Sequence, residues 1–214
     1  MNFETTPEDF SLFLPSYLTT EEKGRLNQAL QQFKEEKGKL WHQRHNTHFY
    51  AQKNFDFFLQ GDLLSQIRYP TWNNQTKIFD KVYIDAIILS NTCDLDLTND
   101  RTITKEIVLA PITIYSKYID KLALRLGKTV PLSLEESIKS QIYSSLFYLP
   151  KTLTNPIDYV CHLDKAFWFP TEELHSYLPD IEQTRIASLD YFGYYLFLVK
   201  LSYHFCRLPE EKQR

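Results

Sequence analysis

Two short, continuous apolar runs constrain the fold of this chain more than any other feature. One is Ala86–Leu89, and the other is the Ile-Val-Leu-Ala-Pro-Ile run within Glu106–Ile112. Apolar runs of this length between polar segments are typical of strands buried on both faces. A third segment, Asp62–Tyr69, alternates as a strand does and ends at Pro70. Three such strands with polar connections predict a curled sheet or a small barrel.

Helical patterns surround this strand cluster. An N-terminal helix is predicted from about Thr19, and Tyr115–Leu126 is predicted as a helix that ends at Gly127. The spacing of Ser133 and Glu136 predicts a capping box that opens another helix. Further strands are predicted at Leu146–Leu149 and Asp158–Phe169, and a closing helix at Ile186–Arg207. The mixture predicts an α+β fold.

The length of 214 residues suits one well-filled core, and no repeat or linker divides the chain. We therefore predict a single domain with an N-terminal helical segment (1–57), a barrel with a helical insertion (58–170) and a C-terminal helical segment (171–214). The net charge of −3 argues against a protein whose whole surface binds nucleic acid and against a polybasic membrane binder. We expect no membrane association.

The cysteines favour a reducing compartment. Cys93, Cys161 and Cys206 are far apart and odd in number, and Met1–Asp9 has neither a basic stretch nor an apolar run. The sequence therefore predicts a cytoplasmic protein.

A local basic patch interleaved with aromatic rings precedes the strand cluster. Its basic members are Lys39, Arg44, His45, His48 and Lys53, and its rings are Trp41, Phe49, Tyr50, Phe55, Phe57 and Phe58. Proteins that bind single-stranded nucleic acid typically combine aromatic rings, which stack on bases, with cations, which contact phosphates. The alternative is that the rings anchor this segment on the core. His42, His45 and His48 have no carboxylate or cysteine nearby in the sequence that would complete a set of metal ligands. We therefore expect no metal here.

A second group of polar residues lies at the ends of the core strands. This candidate binding loop comprises Asp62, Asn91, Thr92, Cys93, Asp94 and Asp96. Small polar residues at strand ends are firmly held yet meet solvent, which suits a binding site. Cys93 is either a nucleophile, which requires His162 or another distant histidine, or a packing residue. The segment from Asp94 does not match an EF-hand calcium loop, because Asn99 and Lys105 stand where that loop requires glycine and glutamate.

The order of these segments resembles a known family. Gly61-Asp62, a strand, a turn, the strand ending Ala86-Ile-Ile-Leu-Ser90, a polar loop and Ile107-Val-Leu-Ala-Pro-Ile-Thr113 look like the barrel of PemK/MazF-type toxins. Ile157–Asp164 resembles the last strand of that family. The resemblance covers about residues 58–200 and implies a small SH3-like barrel. It also implies a homodimer, an antitoxin partner and metal-independent cleavage of single-stranded RNA without a cofactor.

Within this resemblance, Thr113 matches the family's threonine after Pro-Ile and is expected to contact phosphate. The family's basic residue followed by proline is not matched, because Val82–Asp85 occupies its place. Arg68, on the preceding strand, is the candidate substitute, and we expect Arg68 and Thr113 to line one groove. The alternative is a non-catalytic interaction module of a bacterial defence system that retained the barrel without the active site.

Overall fold

The computed structural model describes residues 49–51, 55–96, 106–153 and 155–205, together with 19–21, 23, 24, 27 and 28. These residues form a mixed α/β structure around one antiparallel sheet. The strands are β1 (Leu63–Asn73), β2 (Ile78–Ile88), β3 (Glu106–Ile114), β4 (Leu146–Leu149), β5 (Tyr159–His162), β6 (Phe167–Pro170) and β7 (Arg185–Ala187). The three-strand cluster and the strand at Leu146–Leu149 are thus confirmed, but β1 runs past its predicted end at Pro70 to Asn73.

The sheet is open over the part of the chain that the structure describes. Its order is β4-β5-β3-β2-β1-β7, and β6 pairs with β3 outside this path. β5 and β6 follow each other along the same edge of β3. β5 pairs with Ile112–Ile114, and β6 pairs with Glu106–Leu109. The predicted single strand Asp158–Phe169 is therefore broken in two, by a 3-10 turn at Leu163–Lys165.

A contact between two distant strands shows that the sheet curls. The rings of Tyr69 on β1 and Phe167 on β6 lie 4.8 Å apart, in an edge-to-face arrangement. In the sheet order, β2 and β3 separate β1 from β6. Neighbouring strands are about 4.8 Å apart, so β1 and β6 would lie about 14 Å apart in a flat sheet. The sheet therefore bends until its concave face brings the two rings together.

The helices are α1 (Thr92–Leu95), α2 (Tyr115–Leu126), α3 (Leu132–Lys139), α4 (Thr171–His175), α5 (Ile181–Thr184) and α6 (Tyr191–Phe205). Gly127 ends α2 in the left-handed conformation (φ 63°), as predicted, because glycine adopts positive φ without steric cost. Lys23 N donates to Thr19 O at 3.0 Å, which confirms a helical turn there.

Two predicted helix starts are corrected. α3 begins at Leu132 after Pro131, without a side-chain cap, so Ser133 opens no capping box. The closing helix starts at Tyr191 rather than Ile186, because residues 185–187 pair with β1 as β7. In the described part of the chain, no helix combines the length and apolar character needed to cross a membrane.

Each face of the sheet carries its own hydrophobic cluster. Alternation along the strands sends successive residues to opposite faces. Leu63 and Ile87 therefore join a cluster with α6, whereas Leu64 and Ile88 join a second cluster with α1, α4 and α5. The second cluster fills the concave face as far as Ile67. Beyond it, the same face is open to solvent.

Candidate functional site

A groove lies where β2 and β3 separate. The two strands pair only over Asp85–Ile88 and Leu109–Ile112, after which β3 leads into α2 and the β1–β2 hairpin continues alone. The wedge between them has a volume of about 340 Å³. Its lining residues are Tyr69, Thr71, Val82, Ile84, Pro111, Thr113, Tyr118, Lys121, Leu122, Arg125, His162 and Lys165. We call it the Thr113 groove.

Three cations line the Thr113 groove. Lys121 and Arg125 lie one helical turn apart on α2, so they project from the same face of the helix. Lys165 comes from the 3-10 turn after β5. Over the residues that the structure describes, no carboxylate is within ion-pair distance of any of the three. Such a concentration of positive charge attracts an anion.

Thr113 and His162 meet in the same groove. They sit on the neighbouring strands β3 and β5, and Thr113 Oγ1 lies 3.4 Å from His162 Nε2. The Tyr118 ring lies 5.5 Å from the imidazole and fixes it from α2. Burial lowers the pKa of His162 to about 4, and the charge of Lys165 is the next cause. The imidazole is therefore neutral at pH 7.

The structure does not bring Arg68 into this groove. Arg68 is not among the residues that line the groove, and its side chain reaches α4 instead. Its Nη2 lies 3.1 Å from Glu173 Oε1 on α4. The expected common groove of Arg68 and Thr113 is thus corrected, because Arg68 is paired elsewhere and does not line the site.

The candidate binding loop is held together by its own hydrogen bonds. Asn91 caps α1 by accepting from Cys93 N at 2.9 Å, and Thr92 Oγ1 accepts from Gln60 N at 3.0 Å. The segment predicted as loop therefore contains a short helix that carries Cys93, Asp94 and Leu95. The asparagine and threonine fix the path of the backbone here.

Asp62 belongs to a buried ion pair rather than to a solvent-facing site. Its carboxylate is fully buried and lies 2.9 Å from Arg185 Nε. It also accepts from Leu59 N at 3.0 Å, and Arg185 donates to the carbonyls of Phe55 and Phe57. Burial raises the pKa of Asp62, and the charge of Arg185 opposes that rise. We call this arrangement the buried ion-pair site.

Cys93 and His162 lie in different cavities. Cys93 lines a pocket of about 420 Å³ with Asp96 and His175, whereas His162 lines the Thr113 groove. His175 Nε2 lies 2.5 Å from Leu95 O, a carbonyl that can only accept, so this nitrogen carries a hydrogen. The contact between Cys93 and His162 that a cysteine nucleophile could use is therefore not present.

The basic patch of Lys39, Arg44, His45, His48 and Lys53 lies outside the described residues. Three of its interleaved rings are described and buried, namely Phe49, Tyr50 and Phe58, so these rings anchor their segment on the core. In the described parts of the chain, no cluster of three or more histidine, cysteine or acidic side chains could hold a metal.

Sequence patterns missed the cations of the groove. Lys121 and Arg125 were visible as a pair one turn apart on a predicted helix, which is a usable signal. Lys165 lies 40 residues further along the chain than Arg125, and only the pairing of β3 with β5 brings it near. No protein-family model matches the chain, and a comparison with curated proteins finds no relative. The functional argument therefore rests on geometry.

Proposed function

We propose that this chain is a PemK/MazF-like protein that binds single-stranded RNA in the Thr113 groove and cleaves it without a metal. One observation carries the proposal. Thr113, the residue that matches the family's threonine after Pro-Ile, opens on a groove with three cations that no described carboxylate pairs. The negative charge of an RNA phosphodiester would neutralise these cations.

The curl of the sheet supports an SH3-like barrel as the underlying fold. The Tyr69–Phe167 contact brings β1 over β6 across the concave face, which is the direction in which a barrel closes. The described strands remain an open sheet, so the proposed barrel is a partly open one. The family resemblance further implies a homodimer, which sedimentation velocity of the purified chain would measure.

The groove also suits the chemistry of phosphodiester cleavage. In the transition state, negative charge grows on the non-bridging oxygens of the phosphate, and fixed cations stabilise that charge. Lys121, Arg125 and Lys165 would supply this stabilisation in place of the family's unmatched arginine. The rings of Tyr69 and Tyr118 line the same groove and offer faces on which bases stack. Arg68 is assigned no role in the reaction.

The test is binding and cleavage of a mixed-sequence single-stranded RNA, with and without a metal chelator. We expect chelator-resistant cleavage that the double variant Lys121→Glu/Arg125→Glu abolishes, together with an affinity loss of about 100-fold at low salt. The matched control is Lys151→Glu, an exposed lysine that does not line the groove. Equal binding by the groove variant and the control would overturn the proposal.

Thr113→Ala tests the residue that links the groove to the family. We expect cleavage to fall about 100-fold because the hydroxyl that faces the phosphate is lost. Arg68→Ala should leave cleavage unchanged, since Arg68 pairs with Glu173 on α4 and does not line the groove. Robust cleavage by Thr113→Ala, or its loss in Arg68→Ala, would contradict this assignment.

A second candidate function is a protein-interaction module. It is favoured by the free part of the β1–β2 hairpin, where large apolar side chains are exposed. These are Trp72, Ile78, Phe79 and Tyr83, with Phe79 66% exposed. Large exposed apolar patches often mark interfaces between proteins. If the chain neither binds nor cleaves RNA, capture of a partner that Trp72→Ser/Phe79→Ser abolishes would support this alternative.

A further inference from the structure

Within the described part of the groove, His162 is the side chain whose ring nitrogen reaches Thr113. It is the last residue of β5, and only 8% of its surface is exposed. Its Nε2 is 3.4 Å from Thr113 Oγ1, and Tyr118 packs against its ring. In the tautomer that carries its hydrogen on Nδ1, Nε2 can accept, and a shift of a few tenths of an ångström brings it within proton-transfer reach of the hydroxyl.

Burial, reinforced by nearby cations, keeps His162 neutral in the free protein. Burial is the first cause of its lowered pKa, followed by Lys165, whereas Asp164 opposes the shift. Lys121 and Arg125, on the facing helix α2, lower the pKa further. A phosphate bound among these cations would offset their charge and so raise the proton affinity of His162. The base therefore becomes stronger when the anion is present.

We propose that His162 is the terminal proton acceptor of RNA cleavage in this groove and receives the proton through Thr113. This inference rests on the proposed function. The 2′-hydroxyl of the RNA passes its proton to Thr113 Oγ1, whose own proton moves to His162 Nε2. The 2′-oxygen forms a bond to phosphorus, and the bond from phosphorus to O5′ breaks, with its electron pair remaining on O5′.

Water protonates the released O5′, and His162 later returns its proton to solvent, so the step balances. The products are a 2′,3′-cyclic phosphate and a free 5′-hydroxyl. Thr113 is then the catalytic residue that touches the substrate, and His162 is a positioning residue that acts through it. This division predicts different effects for the two side chains on binding, rate and pH dependence.

The experiment compares wild-type protein with His162→Gln and with Thr113→Ser, which keeps the hydroxyl. Binding is measured by fluorescence anisotropy with a labelled single-stranded RNA, and cleavage by single-turnover rates across pH. His162→Gln should bind within about threefold of wild type but cleave about 100-fold more slowly. It should also lose the acid limb of the pH–rate profile. Thr113→Ser should retain the acid limb, because the hydroxyl that relays the proton is still present.

The outcomes separate this inference from the proposed function. If wild-type protein cleaves RNA and His162→Gln cleaves at the same rate, the inference is wrong and the proposed function stands. If wild-type protein binds RNA but does not cleave it, the inference fails together with the proposed cleavage, and only RNA binding in the groove remains. If wild-type protein neither binds nor cleaves RNA, both fail. Should His162→Gln not fold, the wild-type profile decides, because a rate that is flat with pH on the acid side overturns the inference.

Discussion

Two polar sites of this molecule differ in how their charges are satisfied. In the buried ion-pair site, Asp62 and Arg185 bind each other and several backbone groups of the 55–59 segment. In the Thr113 groove, Lys121, Arg125 and Lys165 face solvent without a described carboxylate at ion-pair distance. A buried pair whose charges satisfy each other is costly to break, whereas cations that face solvent without a partner are available to a ligand.

The largest predicted effect concerns stability at the buried ion-pair site. Asp62→Ala leaves the Arg185 guanidinium buried without its carboxylate, so we expect a loss of about 3–5 kcal/mol in the free energy of unfolding. The matched control is Glu173→Ala, which removes the partner of Arg68. Arg68 is 43% exposed, so this change should cost less than about 1 kcal/mol. Urea denaturation measures both, and equal losses would break the comparison.

The next effect is a loss of stability in acid that originates in the Thr113 groove. The folded pKa of His162 is about 4 and its unfolded value is 6.5. Between these values the unfolded chain binds a proton that the folded chain does not, so stability falls as the pH drops from 6.5 to 4. The contribution is at most about 3 kcal/mol. Denaturation of His162→Gln across this window should show a flatter dependence on pH, and an unchanged slope would contradict the assignment.

A smaller effect, on RNA affinity, is expected when an aromatic ring that lines the groove is removed. Tyr118 lines the groove beside His162, and we expect Tyr118→Ala to weaken RNA binding by about 1–3 kcal/mol through lost stacking. Tyr203→Ala is the control, because Tyr203 is exposed on α6 away from the groove. Fluorescence anisotropy measures both affinities. If the two variants bind alike, bases do not stack on Tyr118.

The smallest effect is expected at Cys93. Cys93 is exposed and lines a different pocket from Thr113 and His162, so Cys93→Ser should change stability by less than about 0.5 kcal/mol. RNA cleavage should also be unchanged. A gel assay of the serine variant checks this, and loss of cleavage would restore the cysteine-dependent mechanism.

Local patterns predicted the elements whose causes are local. Ala86–Ile88 of the first apolar run lies in β2, Ile107–Ile112 lies in β3, and Gly127 ends α2. The predicted N-cap of α3 was shifted by two residues, from Ser133 to Pro131, because Pro131 fixes a backbone angle that suits a helix start and needs no side-chain cap. Such signals act within a few residues of each other, so the sequence carries them directly.

The candidate site was harder to predict, because its partners are distant in the chain. Asp62 follows a turn and suggested a binding loop, yet its partner Arg185 lies 123 residues away. Thr113 and His162 are separated by 49 residues and meet only through the pairing of β3 with β5. The register of that pairing is a property of the whole sheet, which no short motif encodes.

The salt dependence of RNA affinity tests the central claim most directly. The affinity of wild-type protein for single-stranded RNA should fall as salt rises, because each phosphate contact contributes a logarithmic slope of about −0.7. Replacing Lys121, Arg125 and Lys165 with glutamine should reduce that slope by about 2, while the variant remains folded. An unchanged slope in the folded variant would show that the groove is not where RNA binds.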